Sequence, residues 1–119
     1  YEGQDVIPVL RESDILITDY SSVVWHYLLL NRPIVFACFD LEEYGEEMGF
    51  TLDYRTFMPG PLCSDWTGVT HHLEALLEGK DTWIEQRAEC TRTVHKYTDS
   101  NNCERLASFI GSLVNGEKV

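Results

Sequence analysis

The chain has 119 residues, a net charge of -11 and 44% hydrophobic residues. This length suits one domain or part of one, and the composition is that of a soluble globular fold. The acidic charge argues against a nucleic-acid interface and against a broad contact with an anionic membrane, because both select basic surfaces. It does not exclude a phosphate ligand, which backbone N–H groups can hold without lysine or arginine.

The cysteines and the chain ends bear on location. Cys38, Cys63, Cys90 and Cys103 form no C-x-x-C pair and stand at no zinc-finger spacing from a histidine. We therefore predict reduced thiols in a cytoplasmic protein, with Cys38 as a small residue of the core. No run approaches the ~18 apolar residues of a membrane-spanning helix, and no signal peptide opens the chain. Tyr1 is not an initiator methionine, so we expect a longer parent protein.

The first part of the chain has the pattern of a parallel crossover. Residues 5–12 are predicted to form a short helix, and the apolar run 15–17 a strand buried on both faces. A polar segment, residues 18–22 (the polar loop), leads into a predicted helix that ends before Pro33, because proline lacks the N–H donor. The apolar run 34–39 predicts a second strand. A strand, a helix and a second strand with short connections predict a right-handed parallel unit.

The rest of the chain is mainly helical by its pattern. Predicted in order are an acidic helical stretch at 40–49, a short edge strand at 50–54, a rigid turn at 58–62, a helix from 64 or 65 to 79, a helix from 81, a break at 98–102 and a last helix. Two or three parallel strands with about five helices correspond to half of a doubly wound domain, with more strands expected upstream. We therefore treat residues 1–119 as a single α/β fragment.

The polar loop is the strongest candidate for chemistry. In doubly wound sheets, ligands bind outside the carboxyl ends of the strands, and this loop follows the first predicted strand. The Ser21 and Ser22 hydroxyls and the N–H groups of the next helix would face one spot, which suits a phosphate or diphosphate. An Asp-x-Ser sequence before a helix is also an ordinary N-cap, which stabilises by about 1 kcal/mol. Residue types alone leave both interpretations open.

Several motifs in a fixed order point to one family. They are SDILITDYSSV, RPIVF, D-L-E-x-Y at 40–44, G-F at 49–50, D-Y at 53–54 and P-G-P at 59–61. In this combination the chain resembles the CDP-glycerol glycerophosphotransferase family, the primases and polymerases of wall teichoic acid and related capsule enzymes. Residues 99–105, D-S-N-N-C-E-R, are similar to the closing D-G-K-A-S-E-R stretch of that family. The resemblance covers about residues 5–110.

The resemblance implies a fold and an activity. It implies a GT-B architecture of two Rossmann-like domains, in which this chain is the C-terminal half of the nucleotide-donor domain. Members transfer glycerol phosphate or ribitol phosphate from a CDP-linked donor to a polyol-phosphate or lipid-linked acceptor hydroxyl, releasing CMP. The parent would be cytoplasmic and peripheral at the inner face of the cell membrane, with membrane contact only through the region upstream. No cofactor is implied.

The resemblance also assigns roles to residues. The donor diphosphate would be held by Ser21, Ser22, Thr18 and Arg105. The donor ribose would be bound, or the site supported, by His26, Asp19 and Asp99. We expect Asp19 to fix the loop by accepting backbone N–H groups, while Arg105 is open to a second interpretation as a surface residue paired with Glu104 or Glu74.

Departures from the family pattern concern three places. His26 stands where the family has an aspartate between two aromatic residues, so it either binds the nucleotide differently or only packs. Ser100 and Asn102 replace a glycine and an alanine of the closing stretch, which would loosen a contact with phosphate. The catalytic histidines of the family lie in upstream motifs that His71, His72 and His95 do not match, so no catalytic residue is assigned. The carboxylates at 42, 43, 46 and 47 indicate a solvated face rather than a metal site.

Two other functions remain open at this point. The parent could be another GT-B enzyme, a glycosyltransferase or epimerase that uses a sugar nucleotide, since His26 replaces the usual acid. The isolated chain could instead be an inactive structural fragment whose exposed sheet edge pairs with a second copy.

Overall fold

The computed structural model describes residues 5–116, which form a three-stranded parallel sheet with helices around it. The strands are β1 (Leu16–Thr18), β2 (Ile34–Ala37) and β3 (Leu62–Cys63), in the spatial order β1-β2-β3. Leu16 lies opposite Ile34, and Phe36 lies opposite Leu62. The predicted α/β class with a parallel sheet is confirmed.

Seven α-helices occur in the described part of the chain. They are α1 (Ile7–Glu12), α2 (Val23–Tyr27), α3 (Leu41–Glu47), α4 (Tyr54–Phe57), α5 (Trp66–Leu77), α6 (Ile84–Val94) and α7 (Asn102–Val114). A 3-10 turn, Leu28–Leu30, extends α2 and ends at Asn31, which adopts a left-handed conformation with φ 47°. Asparagine tolerates this conformation better than most residues, so Asn31 ends the helix after Leu30, and the predicted end before Pro33 is confirmed.

The core lies around the central strand. Ile34, Val35 and Phe36 of β2 are at most 1% exposed, as expected for a strand covered on both faces. The same prediction for β1 is wrong, because Ile17 is 42% exposed. In the described residues β1 has a neighbour on one side only, so it behaves as an edge strand.

The predicted strand at 50–54 is wrong. These residues form a turn that leads into α4, where the Asp53 carboxylate accepts the N–H of Arg55 at 3.2 Å and caps the helix. A capping aspartate competes with strand formation, and here it decides the outcome. The third strand is instead β3, which follows the Pro-Gly-Pro turn directly.

The Pro-Gly-Pro turn brings β3 against β2. The Pro61 carbonyl accepts the N–H of Phe36 at 2.9 Å, which is the first bond of the β2–β3 ladder. A Cβ added to Gly60 would lie 2.3 Å from the Ile34 carbonyl oxygen, so only glycine fits this close approach. This motif therefore has a structural task, which is to join the last strand to the sheet.

The late helices differ in how well they are covered. Helix α5 begins as predicted at Asp65, whose carboxylate accepts the N–H of Gly68 at 2.8 Å. Its Val69 is buried, but Leu77, predicted on the same face, is 82% exposed. No residue of α7 is buried, and the side chains predicted for its apolar face are 47% to 59% exposed: Leu106, Phe109, Ile110 and Leu113.

Thiols and membrane-spanning potential can be stated for residues 5–116. All four cysteines are free, with Cys63 and Cys90 buried and Cys103 exposed, and Cys38 is buried, which confirms its predicted core position. None of the helices described has both the length and the apolar character needed to cross a membrane.

Candidate functional site

The polar loop lies at the carboxyl edge of the sheet, between the end of β1 and the start of α2. Thr18 is half-buried and still pairs with Phe36, whereas Asp19, Ser21 and Ser22 are exposed. The loop therefore presents two hydroxyls to solvent at the edge where ligands of parallel α/β sheets bind.

The two serines are not ordinary helix caps. Ser22 occupies the N-cap position, yet its side chain makes no capping bond and its backbone is helical, with φ -64° and ψ -8°. The Ser21 hydroxyl oxygen accepts the N–H of Val23 at a long 3.4 Å. Within residues 5–116 neither hydroxyl donates to another group, so both donors are available to a ligand.

Asp19 stabilises the loop through a hydrogen bond within the loop itself. Its carboxylate Oδ1 accepts the N–H of Ser21 at 3.1 Å, which is the contact that a supporting role requires. A carboxylate used in this way is turned toward the backbone of its own loop and reduces the conformational freedom of Ser21. Its role towards a donor stays a prediction.

Tyr54 reaches the loop from the start of α4. Its side chain is buried, and its hydroxyl donates to the Asp19 carbonyl oxygen at 2.7 Å. The Cys38 thiol lies 3.8 Å from the same hydroxyl oxygen and donates to it. Burial raises the pKa of Tyr54 far above its ordinary value of 10.0, with Cys38 adding to the shift, so the hydroxyl keeps its proton.

Tyr20 links the loop to the end of the neighbouring strand. Its hydroxyl donates to Asp40 Oδ1 at 2.8 Å, and its ring stacks on Tyr44 with the centroids 3.8 Å apart. Burial, followed by the bond to Asp40, raises the pKa of Tyr20 above its ordinary value of 10.0. The loops after β1 and β2 are thus joined by a tyrosine–carboxylate bond.

An aromatic-walled pocket of about 210 Å³ adjoins the loop. Tyr20, the residue before Ser21, forms part of its wall together with Trp25, Phe50 and Tyr54. Phe50 is 37% exposed, so a planar group entering the pocket meets ring faces that water also reaches.

The closing stretch forms a separate group around Arg105. The guanidinium donates to both oxygens of Asp99, at 3.1 Å and 2.7 Å, and to Asn102 Oδ1 at 2.6 Å. It also lies over the Tyr97 ring, 3.9 Å from its centroid. Its partner is Asp99 rather than Glu104 or Glu74, and no hydrogen bond or ion pair between residues 5 and 116 joins this group to the polar loop.

The histidines lie in different surroundings. His26, one turn after Ser22, is exposed, so it is not a packing residue. His95 is half-buried, and its Nε2 lies 2.7 Å from the Trp25 carbonyl oxygen, which ties the end of α6 to α2. His71 is exposed, as predicted for a solvated face, whereas His72 is half-buried. In the described part of the chain, no group of three or more His, Cys, Asp or Glu side chains could hold a metal ion.

The comparison with family models decides the identity of the chain. Residues 2–112 match the model described as CDP-Glycerol:Poly(glycerophosphate) glycerophosphotransferase. The chain belongs to this family. The resemblance drawn from the motifs is therefore confirmed over almost the whole sequence.

Relatives of this family member include two curated enzymes. The teichoic acid ribitol-phosphate primase of Bacillus spizizenii is 40% identical over 113 residues, which are 95% of this chain and 28% of that protein. The teichoic acid glycerol-phosphate transferase of Staphylococcus aureus is 32% identical over 108 residues, 90% of this chain and 28% of that protein. The chain thus spans little more than a quarter of the length of these relatives.

Solved structures of the wall teichoic acid polymerase TagF also match. One superposes with a TM-score of 0.78 at 26% identity, covering 97% of this chain and 28% of that one. A TagF variant soaked with CDPG superposes with a TM-score of 0.76 at 27% identity, covering 93% and 27%. TagF has a GT-B-like fold, so this match confirms the predicted fold class.

Proposed function

We propose that the intact protein transfers a polyol phosphate from a CDP-linked donor to a teichoic-acid or capsule-type acceptor, and that this segment binds the donor diphosphate. The observation that carries the proposal is the polar loop in a chain of this family: Ser21 and Ser22 expose free hydroxyl donors at the carboxyl edge of the sheet. The relatives named for glycerol-phosphate and ribitol-phosphate transfer support the reaction class.

The chemistry assigns the loop a role in charge stabilisation. The oxygen of the acceptor hydroxyl attacks the phosphorus that carries the polyol, and the bond from that phosphorus to the CMP oxygen breaks. Negative charge grows on the departing CMP, where the Ser21 and Ser22 hydroxyls donate hydrogen bonds. The proton of the acceptor goes to a base that the family places upstream of this segment.

Arg105 supplies the cation of the proposed site. Its guanidinium is oriented by Asp99, and its Nε is buried without a partner in the described residues. A bidentate guanidinium matches phosphate oxygens as well as carboxylate oxygens, so a donor diphosphate would share or replace the Asp99 contact. Asp99 supports this site by holding the side chain ready.

The nucleoside would occupy the space next to the loop. The aromatic-walled pocket offers ring faces on which a pyrimidine stacks. His26 is exposed one turn after Ser22 and can accept or donate one hydrogen bond to a ribose hydroxyl. A CDP-linked polyol is consistent with the TagF variant that was soaked with CDPG.

The location and the acceptor belong to the same proposal. We place the intact protein in the cytoplasm, at the inner face of the cell membrane, where a lipid-linked or polyol-phosphate acceptor is accessible. Membrane contact is assigned to parts outside this chain, since its charge of -11 opposes adsorption to anionic lipid.

Replacing both serines tests the proposal directly. In the intact protein, Ser21→Ala with Ser22→Ala should lower kcat/KM for CDP-glycerol by about 10²-fold or more, because two donors to the leaving group are lost. Ser108→Ala, at an exposed position of α7, is the matched control and should leave turnover unchanged. An unchanged KM and kcat in the double variant would remove the hydroxyls from the mechanism.

A second function is favoured by His26 alone. A carboxylate is usual at this position in the family, so its replacement by an exposed histidine is compatible with a GT-B enzyme for another nucleotide. Heat protection of the intact protein by CDP-linked and UDP-linked compounds separates the two. A preferential response to UDP-sugars would contradict the polyol-phosphate proposal.

A further inference from the structure

The hydroxyls of Tyr54 and Tyr20 hold the polar loop in place, and neither hydroxyl is part of the proposed contact between the serines and the donor. The hydroxyl of Tyr54 donates to the Asp19 carbonyl at 2.7 Å, across 35 residues of sequence. The Cys38 thiol donates to the Tyr54 oxygen at 3.8 Å, which leaves the single tyrosine hydrogen for the Asp19 carbonyl. The hydrogen bonds therefore run from the Cys38 thiol to the Tyr54 hydroxyl and from that hydroxyl to the Asp19 carbonyl.

The contact from Tyr54 positions Ser21 as well as the Asp19 carbonyl. The backbone of Asp19 is held by Tyr54 while the carboxylate of the same residue accepts the N–H of Ser21 at 3.1 Å. Since both bonds act on one residue, the position of the Asp19 backbone determines where its carboxylate holds Ser21. A shift at Tyr54 is thereby passed on to the serine hydroxyls.

The second contact joins Tyr20 of the loop to the segment that follows β2. The Tyr20 hydroxyl donates to Asp40 Oδ1 at 2.8 Å, and Asp40 lies just beyond the end of β2. The Tyr20 ring is fixed between Tyr44, stacked at 3.8 Å, and Tyr54, edge-on at 5.5 Å. The polar loop is therefore joined to two elements, α4 and the segment after β2.

We propose that Tyr54 and Tyr20 are positioning residues for donor binding, whose hydroxyls hold the polar loop in the shape in which Ser21 and Ser22 meet the donor diphosphate. This inference rests on the proposed function. The rings pack in the aromatic cluster, whereas the hydroxyls donate only to the Asp19 carbonyl and to Asp40. A loop ordered before binding loses less conformational entropy when the phosphates arrive.

Tyr54→Phe in the intact protein is the decisive variant, because it keeps the ring and removes only the hydroxyl. The binding of CDP should weaken about 5-fold to 10-fold, the effect of one hydrogen bond. The binding of cytidine, which has no phosphate, should not change. Titration calorimetry measures CDP, and ligand-observed NMR measures the weaker cytidine.

Tyr27→Phe is the matched control. Tyr27 is buried, and its hydroxyl donates to the Ser13 carbonyl oxygen at 2.8 Å, so the variant removes a comparable bond that does not involve the polar loop. Its affinity for both ligands should equal that of the wild type. An equal loss for CDP and cytidine in Tyr54→Phe would indicate a general disturbance of packing and would overturn the positioning role.

The Tyr20 contact gives an independent test should Tyr54→Phe fail to fold. Tyr20→Phe and Asp40→Ala each remove the bond and should weaken CDP to a similar extent, with cytidine unchanged. Asp40→Asn keeps an oxygen acceptor for the Tyr20 hydroxyl and should restore the affinity for CDP. Full loss in Asp40→Asn, or none in Tyr20→Phe, would overturn the inference for this contact.

Titration of the wild-type protein with CDP distinguishes a failure of this inference from a failure of the proposed function. A wild-type protein that binds no CDP would refute the proposed function, and the positioning role with it. A wild-type protein that binds CDP, together with variants of unchanged affinity, would refute the positioning role alone.

Discussion

The chain contains the same ion pair twice, in two different surroundings. Asp81 precedes α6 and pairs with Arg87, and Asp99 precedes α7 and pairs with Arg105. In each pair the arginine follows six residues after the aspartate and contacts both carboxylate oxygens. Each aspartate also accepts the N–H of the residue two positions later, at 3.1 Å and 2.9 Å. The two pairs thus share their spacing and the same local hydrogen-bonding pattern.

Burial distinguishes the two pairs. The Arg87 side chain is 1% exposed and also donates to the side chain and carbonyl of Asn31, both at 3.3 Å, which joins α6 to the segment before β2. The Arg105 side chain is 31% exposed and rests on a tyrosine ring instead. A guanidinium that is buried with its carboxylate can only hold structure, whereas a partly exposed guanidinium can exchange its partner for a ligand.

Removing the carboxylate of each pair in turn should give the largest difference in stability between them. Asp81→Ala leaves the Arg87 charge buried and unpaired, so we expect the free energy of unfolding to fall by about 3–5 kcal/mol. Urea unfolding followed by circular dichroism measures the change. Asp99→Ala is the matched control and should leave the midpoint within experimental scatter, because solvent screens that pair. Equal losses in both variants would mean that burial does not distinguish them.

Neutralising the exposed arginine should affect binding rather than stability. Arg105→Met in the intact protein should weaken CDP about tenfold, because a charge-assisted contact to phosphate is lost. Arg92→Met, in the exposed pair with Glu89, removes the same charge elsewhere and should leave CDP affinity unchanged. If both variants bind CDP as the wild type does, Arg105 is a surface residue and the prediction for the closing stretch fails.

Acidification should have the smallest of these effects, a loss of folding stability at low pH. The hydrogen bonds from Arg87 hold the pKa of Asp81 below its ordinary value of 3.8, and those from Arg105 do the same for Asp99. A lowered folded-state pKa means that the stabilisation is complete above 3.8 and is lost as the pH falls through the folded-state value. The wild type should therefore lose stability on acidification more steeply than Asp81→Asn. Urea unfolding between about pH 5 and pH 3 tests this, and parallel curves would contradict it.

The sequence predicted those parts of the fold that local patterns determine. The order of strand, loop, helix and strand through residue 37 is confirmed, because apolar runs and Pro33 act over a few positions. The start of α5 at a capping aspartate was predictable for the same reason. The prediction of a strand at 50–54 is wrong because the Asp53 cap and the packing of Phe50 on Tyr54 favour a turn and a helix.

The candidate site was predictable only in part. The polar loop and its serines stand in one continuous motif, so sequence alone identified them and the family. Tyr54 and Asp40 lie 35 and 20 residues from their partners in the loop, and no periodicity links them. The D-Y motif at 53–54 was the available signal, but its chemical reason became visible only with the hydroxyl on the Asp19 carbonyl.

The sequence by itself determined the family and the parallel unit, since each depends on motifs of residues close together in the chain. The tertiary structure alone decided that Arg87 is buried, that Arg105 is half-buried and pairs with Asp99, and that the distant residues Tyr54 and Asp40 hold the polar loop. The physical reason is the same in both cases. Short-range hydrogen bonding follows from spacing, whereas the environment of a side chain depends on which remote segments pack against it.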